Sequence, residues 1–285
     1  MNPRVLLFGA GGQLGTAIAS AATRGSVTLE SAPRAIDISS ERQITEALQA
    51  IRPDWVINSA AMTNVDGAHE HPDLAVAVNA MGPANIARAA QSVGARVIQI
   101  STEAVFDGEQ VEPYTESDAC HPVSVYGATK LSGELLVRVF NPASFVMRTS
   151  WLYSGASGVN FPTRLLQQLA AHDNVVSVVT DIIGNPTPAT VLADAVLAVI
   201  CAPPAPGTYH VCCSGATSKY EWAQDIARSR GFSPDRISPV LSASYPTVAL
   251  RPKHVDLACL KFSSTGLFDL PAWQDAWQQE ALDRP

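Results

Sequence analysis

The run Arg4-Val-Leu-Leu-Phe8 leads without a break into Gly9-Ala-Gly-Gly-Gln-Leu-Gly15, and this junction constrains the fold more than any other part of the chain. An apolar strand, a glycine turn and a small-residue helical pattern from Thr16 to Ala22 form the strand–turn–helix unit that cradles a dinucleotide. Gly9 permits the tight turn, Gly12 lets the backbone approach a pyrophosphate, and Gly15 allows close packing of helix on strand. Free N–H groups at the helix start face the anion, so Gly11, Gln13 and Leu14 join the candidate cofactor contacts. An acidic residue about twenty positions on, meeting the ribose 2′-OH, is the usual companion of such a turn. Glu30 stands there, and Arg34 close by would instead hold a 2′-phosphate, so NADH and NADPH both stay open as cofactors.

Strand-like runs alternate with helical patterns through the first half. Ser26–Glu30, Asp54–Asn58, Arg96–Ser101 and Ser144–Arg148 read as strands, with helices predicted near Ser40–Ile51, Ala68–Ala80 and Pro83–Val93. This order, with nearly continuous apolar strands, predicts an α/β fold: a Rossmann-like, doubly wound parallel sheet covered on both faces. Its ligand belongs at the carboxyl ends of the strands, where the loops after Phe8, Asn58, Ile100 and Met147 converge. Beyond Arg148 the pattern loosens, with Trp151–Asn160 reading as loop and Asp181–Pro188 as an irregular segment. Residues 1–150, joined by about 175–205, are expected to form the dinucleotide-binding domain. Residues 151–174 and 206–285 are expected to form a smaller, discontinuous α/β substrate-binding domain.

Among 285 residues the net charge is −7, which argues against a nucleic-acid surface. The longest apolar helical stretch, Val191 to Ala202, carries Asp194 and is too short for a bilayer, so no membrane partner is expected. The cysteine count is odd, with no Cys-x-x-Cys, and reads as reduced thiols. With a strand starting at Arg4, no leader peptide is expected, and the reading is of a cytoplasmic enzyme.

Tyr126 and Lys130 fall at i and i+4 in Ser124-Val-Tyr-Gly-Ala-Thr-Lys, on one face of a predicted helix. An ammonium beside a phenol favours the phenolate, so Lys130 is expected to lower the pKa of Tyr126 towards the range useful for proton transfer. Ser101-Thr102 ends the fourth strand, where a hydroxyl can hydrogen-bond a substrate carbonyl. Together these residue types suit carbonyl reduction: hydride from nicotinamide, a proton from tyrosine, lysine on the cofactor ribose.

The set Gly9-x-x-Gly12-x-x-Gly15, Asn58-Ser-Ala-Ala61, Ser101-Thr102 and Tyr126-x-x-x-Lys130 resembles the extended short-chain dehydrogenase/reductase family. Arg148-Thr-Ser-Trp-Leu-Tyr153, Gly184-Asn-Pro-Thr187 and Arg251-Pro252 make the chain similar, more narrowly and from end to end, to the dTDP-4-dehydrorhamnose reductase family. The resemblance implies a Thr102–Tyr126–Lys130 triad, with Tyr126 giving its proton to the C4 oxygen of a dTDP-linked keto-sugar. It implies Asp37 and Ile38 against the adenine and Ala60, Ala61 and Thr63 along the cofactor. Thr63, Val65, Thr102, Ala104 and Trp151 would surround the hexose, and Arg251 and Asn160 would face the nucleotide end. It also implies frequent homodimers, some with an interface Mg²⁺, although no carboxylate cluster here specifies a metal site.

Two departures stand out. Ala104 occupies a place where the family usually has tyrosine, which widens the sugar pocket. His254 and Val255 replace an amide and a hydroxyl residue beyond Arg251. The reaction class survives these changes, so the sequence predicts NADH- or NADPH-dependent reduction of a dTDP-4-keto-6-deoxy-L-hexose. The alternatives are a reductase of another nucleotide-linked keto-sugar and a non-catalytic dinucleotide-binding subunit.

Overall fold

The computed structural model describes residues 2–155 and 159–282. The chain opens with β1 (Arg4–Phe8), α1 (Gln13–Ala22), β2 (Thr28–Ser31), α2 (Glu41–Ile51) and β3 (Trp55–Asn58). Next come α3 (Val65–Glu70), α4 (Pro72–Val76), a π-helical turn over Ala77–Met81, and α5 (Gly82–Val93). The single helix predicted over Ala68–Ala80 is therefore broken. Pro72 offers no amide hydrogen and disfavours helical backbone at the residue before it, and His71 takes φ −128°, ψ 65°. Then follow β4 (Arg96–Thr102), α6 (Val125–Phe140) and β5 (Phe145–Thr149).

After β5 lie β6 (Leu152–Tyr153), α7 (Phe161–Ala171), β7 (Val176–Val179), β8 (Ile183–Gly184), β9 (Thr187–Pro188) and α8 (Ala189–Cys201). The chain ends with β10 (Gly207–His210), β11 (Thr217–Ser218), α9 (Lys219–Ser229), β12 (Ile237–Val240), α10 (Leu260–Ser263) and α11 (Trp273–Leu282). Residues 156–158, within the predicted 151–160 loop, lie outside the described residues; β6 forms part of the rest.

Six strands make one parallel sheet in the order β10-β5-β4-β3-β1-β2. Alternate strand residues feed two cores, as the period of two demands. Val5, Leu7, Ile57 and Met147 pack beneath α1 and α8, whereas Leu6, Phe8, Val56 and Val97 meet α2 and α5. The doubly wound α/β sheet predicted from sequence is the fold. A third core, built on Trp222, Leu165, Leu169, Ile226 and Trp273, holds the smaller unit, where β7 pairs with β12 and β8 with β11.

Two segments fall on the other side of the expected domain boundary. Gly207–His210 is the edge strand of the main sheet, beside β5. Val176–Val179 pairs with β12 and packs in the smaller core. The Pro-Pro-Ala-Pro-Gly linker before β10 resembles a boundary, but it only turns the chain back from α8 to the sheet edge.

Candidate active site

From β1 the chain passes to β2 on one side and then to β3 on the other, so the sheet's switch point lies between the ends of β1 and β3. Ser59, just after β3, donates from Oγ to the carbonyl of Phe8 at 2.7 Å and holds the two ends together. Gly9 takes φ 81°, and a Cβ there would sit 2.6 Å from the Ala60 nitrogen. A Cβ on Gly15 would lie 2.2 Å from the Gly9 oxygen, so only glycine allows α1 to seat on the turn. No side chain caps the start of α1 at Gly12, which leaves its first-turn N–H groups for an anion. The backbone of Gly9 to Gly15 thus fits a dinucleotide's diphosphate.

The other expected cofactor contacts surround this turn. Glu30 and Arg34 are exposed at and beyond the end of the edge strand β2. Asp37 accepts from both the amide and the hydroxyl of Ser39, which hold its carboxyl below the usual carboxylate range. Ile38 is buried against α5, where Asn85 donates to its carbonyl at 3.2 Å. Ala60 and Ala61 are half-buried and Thr63 is exposed. Asn79, in the π-helical turn, grips their loop through both the amide and the carbonyl of Met62, at 2.9 and 3.1 Å.

Ser124 caps α6 and so fixes where Tyr126 emerges: its Oγ accepts from the Gly127 amide at 3.1 Å. Thr102 ends β4, accepts from the Ala104 amide at 3.1 Å and donates to Glu103 Oε2 at 2.7 Å. Burial, then the charge of Glu103, push the Tyr126 phenol up from its ordinary value, while the Thr102 hydroxyl opposes them. The expected lowering by Lys130 is thus not what the structure contains. Lys130 donates from Nζ to the Ile100 carbonyl at 2.7 Å, and burial brings its own pKa down to about 8, with Glu134 opposing.

Below these residues lies a network that no sequence motif announced. Glu134 continues the face of α6 that carries Tyr126 and Lys130, and pairs with Arg148 of β5 at 2.7 Å, both side chains almost fully buried. Ser101 also donates to Glu134, and the Arg148 guanidinium lies 5.2 Å from the Phe106 ring centroid. Only the spacing from Lys130 to Glu134, one further helical turn, hinted at it.

Tyr126 and Glu103 open on a cavity of about 890 Å³ also lined by Val65, Ala104, Trp151 and Arg251. Arg251 donates to Asp66 Oδ2 at 3.0 Å and to the Ala249 carbonyl at 2.9 Å, which orients it at the cavity wall. Asn160 is nearly buried, with its side chain engaged within the protein. Its side chain caps α7 by accepting from Thr163 and donates to Gln13 Oε1 at 2.8 Å, tying the smaller unit to the glycine turn. His254 Nδ1 donates to the Gln110 carbonyl, 2.6 Å away, while Val255 is buried and lines the cavity. Lys219 and Phe161 complete one wall and were not singled out from sequence.

A helix start prepared for a diphosphate at the switch point, together with a protonated phenol lining a large cavity, is the equipment of a dinucleotide-dependent oxidoreductase. That is the class which fold and site define. Comparison with known proteins gives the family: the profile described as RmlD substrate binding domain matches residues 3–284, and the chain belongs to this family. The dTDP-4-dehydrorhamnose reductase of Mycolicibacterium smegmatis is 36% identical over 280 residues, covering 98% of this chain and 85% of the relative. A crystal structure of dTDP-4-dehydrorhamnose reductase from Clostridium acetobutylicum superposes with a TM-score of 0.93 at 37% identity, over 98% of each chain. The Bacillus anthracis enzyme of that name, in complex with NADP, gives 0.95 at 32% identity over 100% of both chains.

Proposed function

We propose that this protein reduces the C4 ketone of a dTDP-4-keto-6-deoxy-L-hexose with NADPH or NADH. The observation that carries the reading is Tyr126 and Glu103, the latter hydrogen-bonded by Thr102, in the wall of the cavity that Trp151 and Arg251 also line, in a chain of this family. The bound nicotinamide supplies the hydride. Tyr126, kept protonated by burial, suits the other half of a reduction, because the incoming hydride leaves an oxyanion that must receive a proton. Thr102 orients the carbonyl once its hydroxyl turns from Glu103, and Lys130, with one donor spent on Ile100, has donors left for the cofactor ribose. Arg251, pre-oriented by Asp66, offers a planar fork to the diphosphate of the nucleotide-sugar.

Support for dTDP-4-dehydrorhamnose as the sugar comes from the names of the relatives, and for NADPH from the NADP in the Bacillus anthracis structure. A different nucleotide-linked keto-sugar is the second reading, favoured by Ala104 and by Lys219 in the cavity wall. The same reading takes the protein as a cytoplasmic enzyme; described residues contain no helix long and apolar enough to cross a membrane. Its assembly as a homodimer is open to light scattering. The deciding experiment follows NADPH and NADH oxidation at 340 nm with dTDP-4-dehydro-β-L-rhamnose. Turnover to dTDP-L-rhamnose is expected, and none with either bound cofactor would shift the assignment to another keto-sugar.

A further inference from the structure

Lys219 opens α9, and its ammonium stands in the cavity that Tyr126 and Glu103 share. It lies 3.4 Å from the centroid of the Trp151 ring and 4.9 Å from those of Phe161 and Trp222. Among the described residues no carboxylate forms an ion pair with it and no acceptor receives a hydrogen bond from its Nζ. The aromatic faces attract the charge but use none of its three donors. Trp151 is itself held in an uncommon conformation, φ 40°, with its indole against Gly184. Strained backbone of this kind persists where surrounding structure imposes it, and it gathers at ligand sites.

Glu103 is the opposite pole. It lines the same cavity; burial pushes its pKa up and the charge of Lys219 opposes this, although the two do not close into a salt bridge. An ammonium and a carboxyl group that share a cavity without pairing are matched by one common group. A hydroxyl accepts from the first and donates to the second, whereas a deoxy carbon can do neither.

We propose that Lys219 is a specificity-determining residue for the hexose, donating a hydrogen bond to a ring hydroxyl of the bound sugar that in turn donates to Glu103. This inference rests on the reductase reading for the identity of the sugar. Burial among the rings brings Lys219 down to about 7, with Glu103 opposing, as suits a cation that lacks its partner until ligand arrives. Sites built to hydrogen-bond a hydroxyl reject the analogue without it far more strongly than apolar pockets reject a missing methylene, because the site's polar groups stay unpaired.

The test is calorimetric binding to the protein saturated with NADP⁺, using dTDP-L-rhamnose and its 2-deoxy and 3-deoxy counterparts. The wild type is expected to prefer the full sugar over one deoxy analogue by at least about thirtyfold, and Lys219→Met to shrink that ratio to about threefold or less. Lys219→Met should bind that deoxy analogue about as well as the wild type does, and Lys219→Arg should restore part of the preference. An unchanged ratio in Lys219→Met, or an equal weakening of every ligand, overturns the inference. If Lys219-dependent discrimination appears but no keto-sugar is turned over, the reductase reading falls and this one stands. A wild type that binds none of the sugars removes both.

Discussion

Lys130 donates from Nζ to the carbonyl oxygen of Ile100 at 2.7 Å, which anchors the ammonium to β4 rather than to the phenol one helical turn before it. The pairing of α6 with the sheet therefore passes through a charged side chain only 5% exposed. Burial costs the charged form its hydration, and the single carbonyl returns only part of it.

This has a pH signature. Lys130 titrates at about 8 in the folded protein against 10.5 in an ordinary setting. Between these values the unfolded chain binds more protons, so the site's contribution to stability rises with pH, by about 3 kcal/mol from pH 8 to pH 10.5 at 1.36 kcal/mol per pH unit. Below pH 8 the cost is present in full. Urea unfolding at pH 8 and pH 10 should show a shallower rise, or a steeper fall, for Lys130→Met than for wild type. Equal slopes would mean that Lys130 is not charged at a cost.

Tyr126→Phe keeps the ring and removes the phenolic proton on which the proposed reduction relies. Turnover of any keto-sugar substrate should fall at least about a hundredfold, in the range that general acids contribute. Cofactor affinity, read from quenching of tryptophan fluorescence, should stay within a few-fold. A variant that turns over nearly as fast as wild type would remove Tyr126 from the chemistry.

Glu134→Ala strands the Arg148 guanidinium in the interior and takes an acceptor from Ser101. Breaking one side of a buried pair costs roughly 3–5 kcal/mol. Denaturant melts should show a loss of that size, and Glu134→Gln, which keeps hydrogen-bond acceptance, should lose less. Equal effects of the two variants would put the weight on the charge, which both remove, rather than on shape and hydrogen-bond acceptance, which only glutamine keeps.

Gly15→Ala would place a methyl 2.2 Å from the Gly9 oxygen, and α1 must lift from the turn. Overpacking of this kind costs about 1–3 kcal/mol. The displaced N–H groups should also weaken NADPH binding by about tenfold or more, since helix starts hold anions by direction as well as charge.

The sequence made the main sheet legible because its strands are apolar on both faces. Arg4–Phe8, Trp55–Asn58, Arg96–Thr102 and Phe145–Thr149 all lie within a residue or two of their predicted ends. Elements set by tertiary contacts were harder to see. Ile183–Gly184 and Thr187–Pro188 are two-residue strands inside a Gly/Pro segment, and no periodicity exists over two residues. The Tyr126–Lys130 pair was visible as spacing, but its electrostatics were not, because Ile100 and Glu103 reach it from β4 and the turn beyond. Lys219 left no signal either: a lysine at the head of a helix looks like solvent-facing charge until Trp151, Phe161 and Trp222 close around it.

The sheet's outermost strand, Gly207–His210, is drawn from far along the chain and lies against Phe145–Arg148. During synthesis β5 therefore emerges long before its neighbour and must wait as an open edge, with backbone donors and acceptors that any extended segment could take. The nascent protein has its cofactor turn and its tyrosine helix early, yet its sheet is sealed late. A ribosome stalled between these segments would hold a half that is recognisable but sticky, and its most exposed hazard would be a strand the finished enzyme conceals.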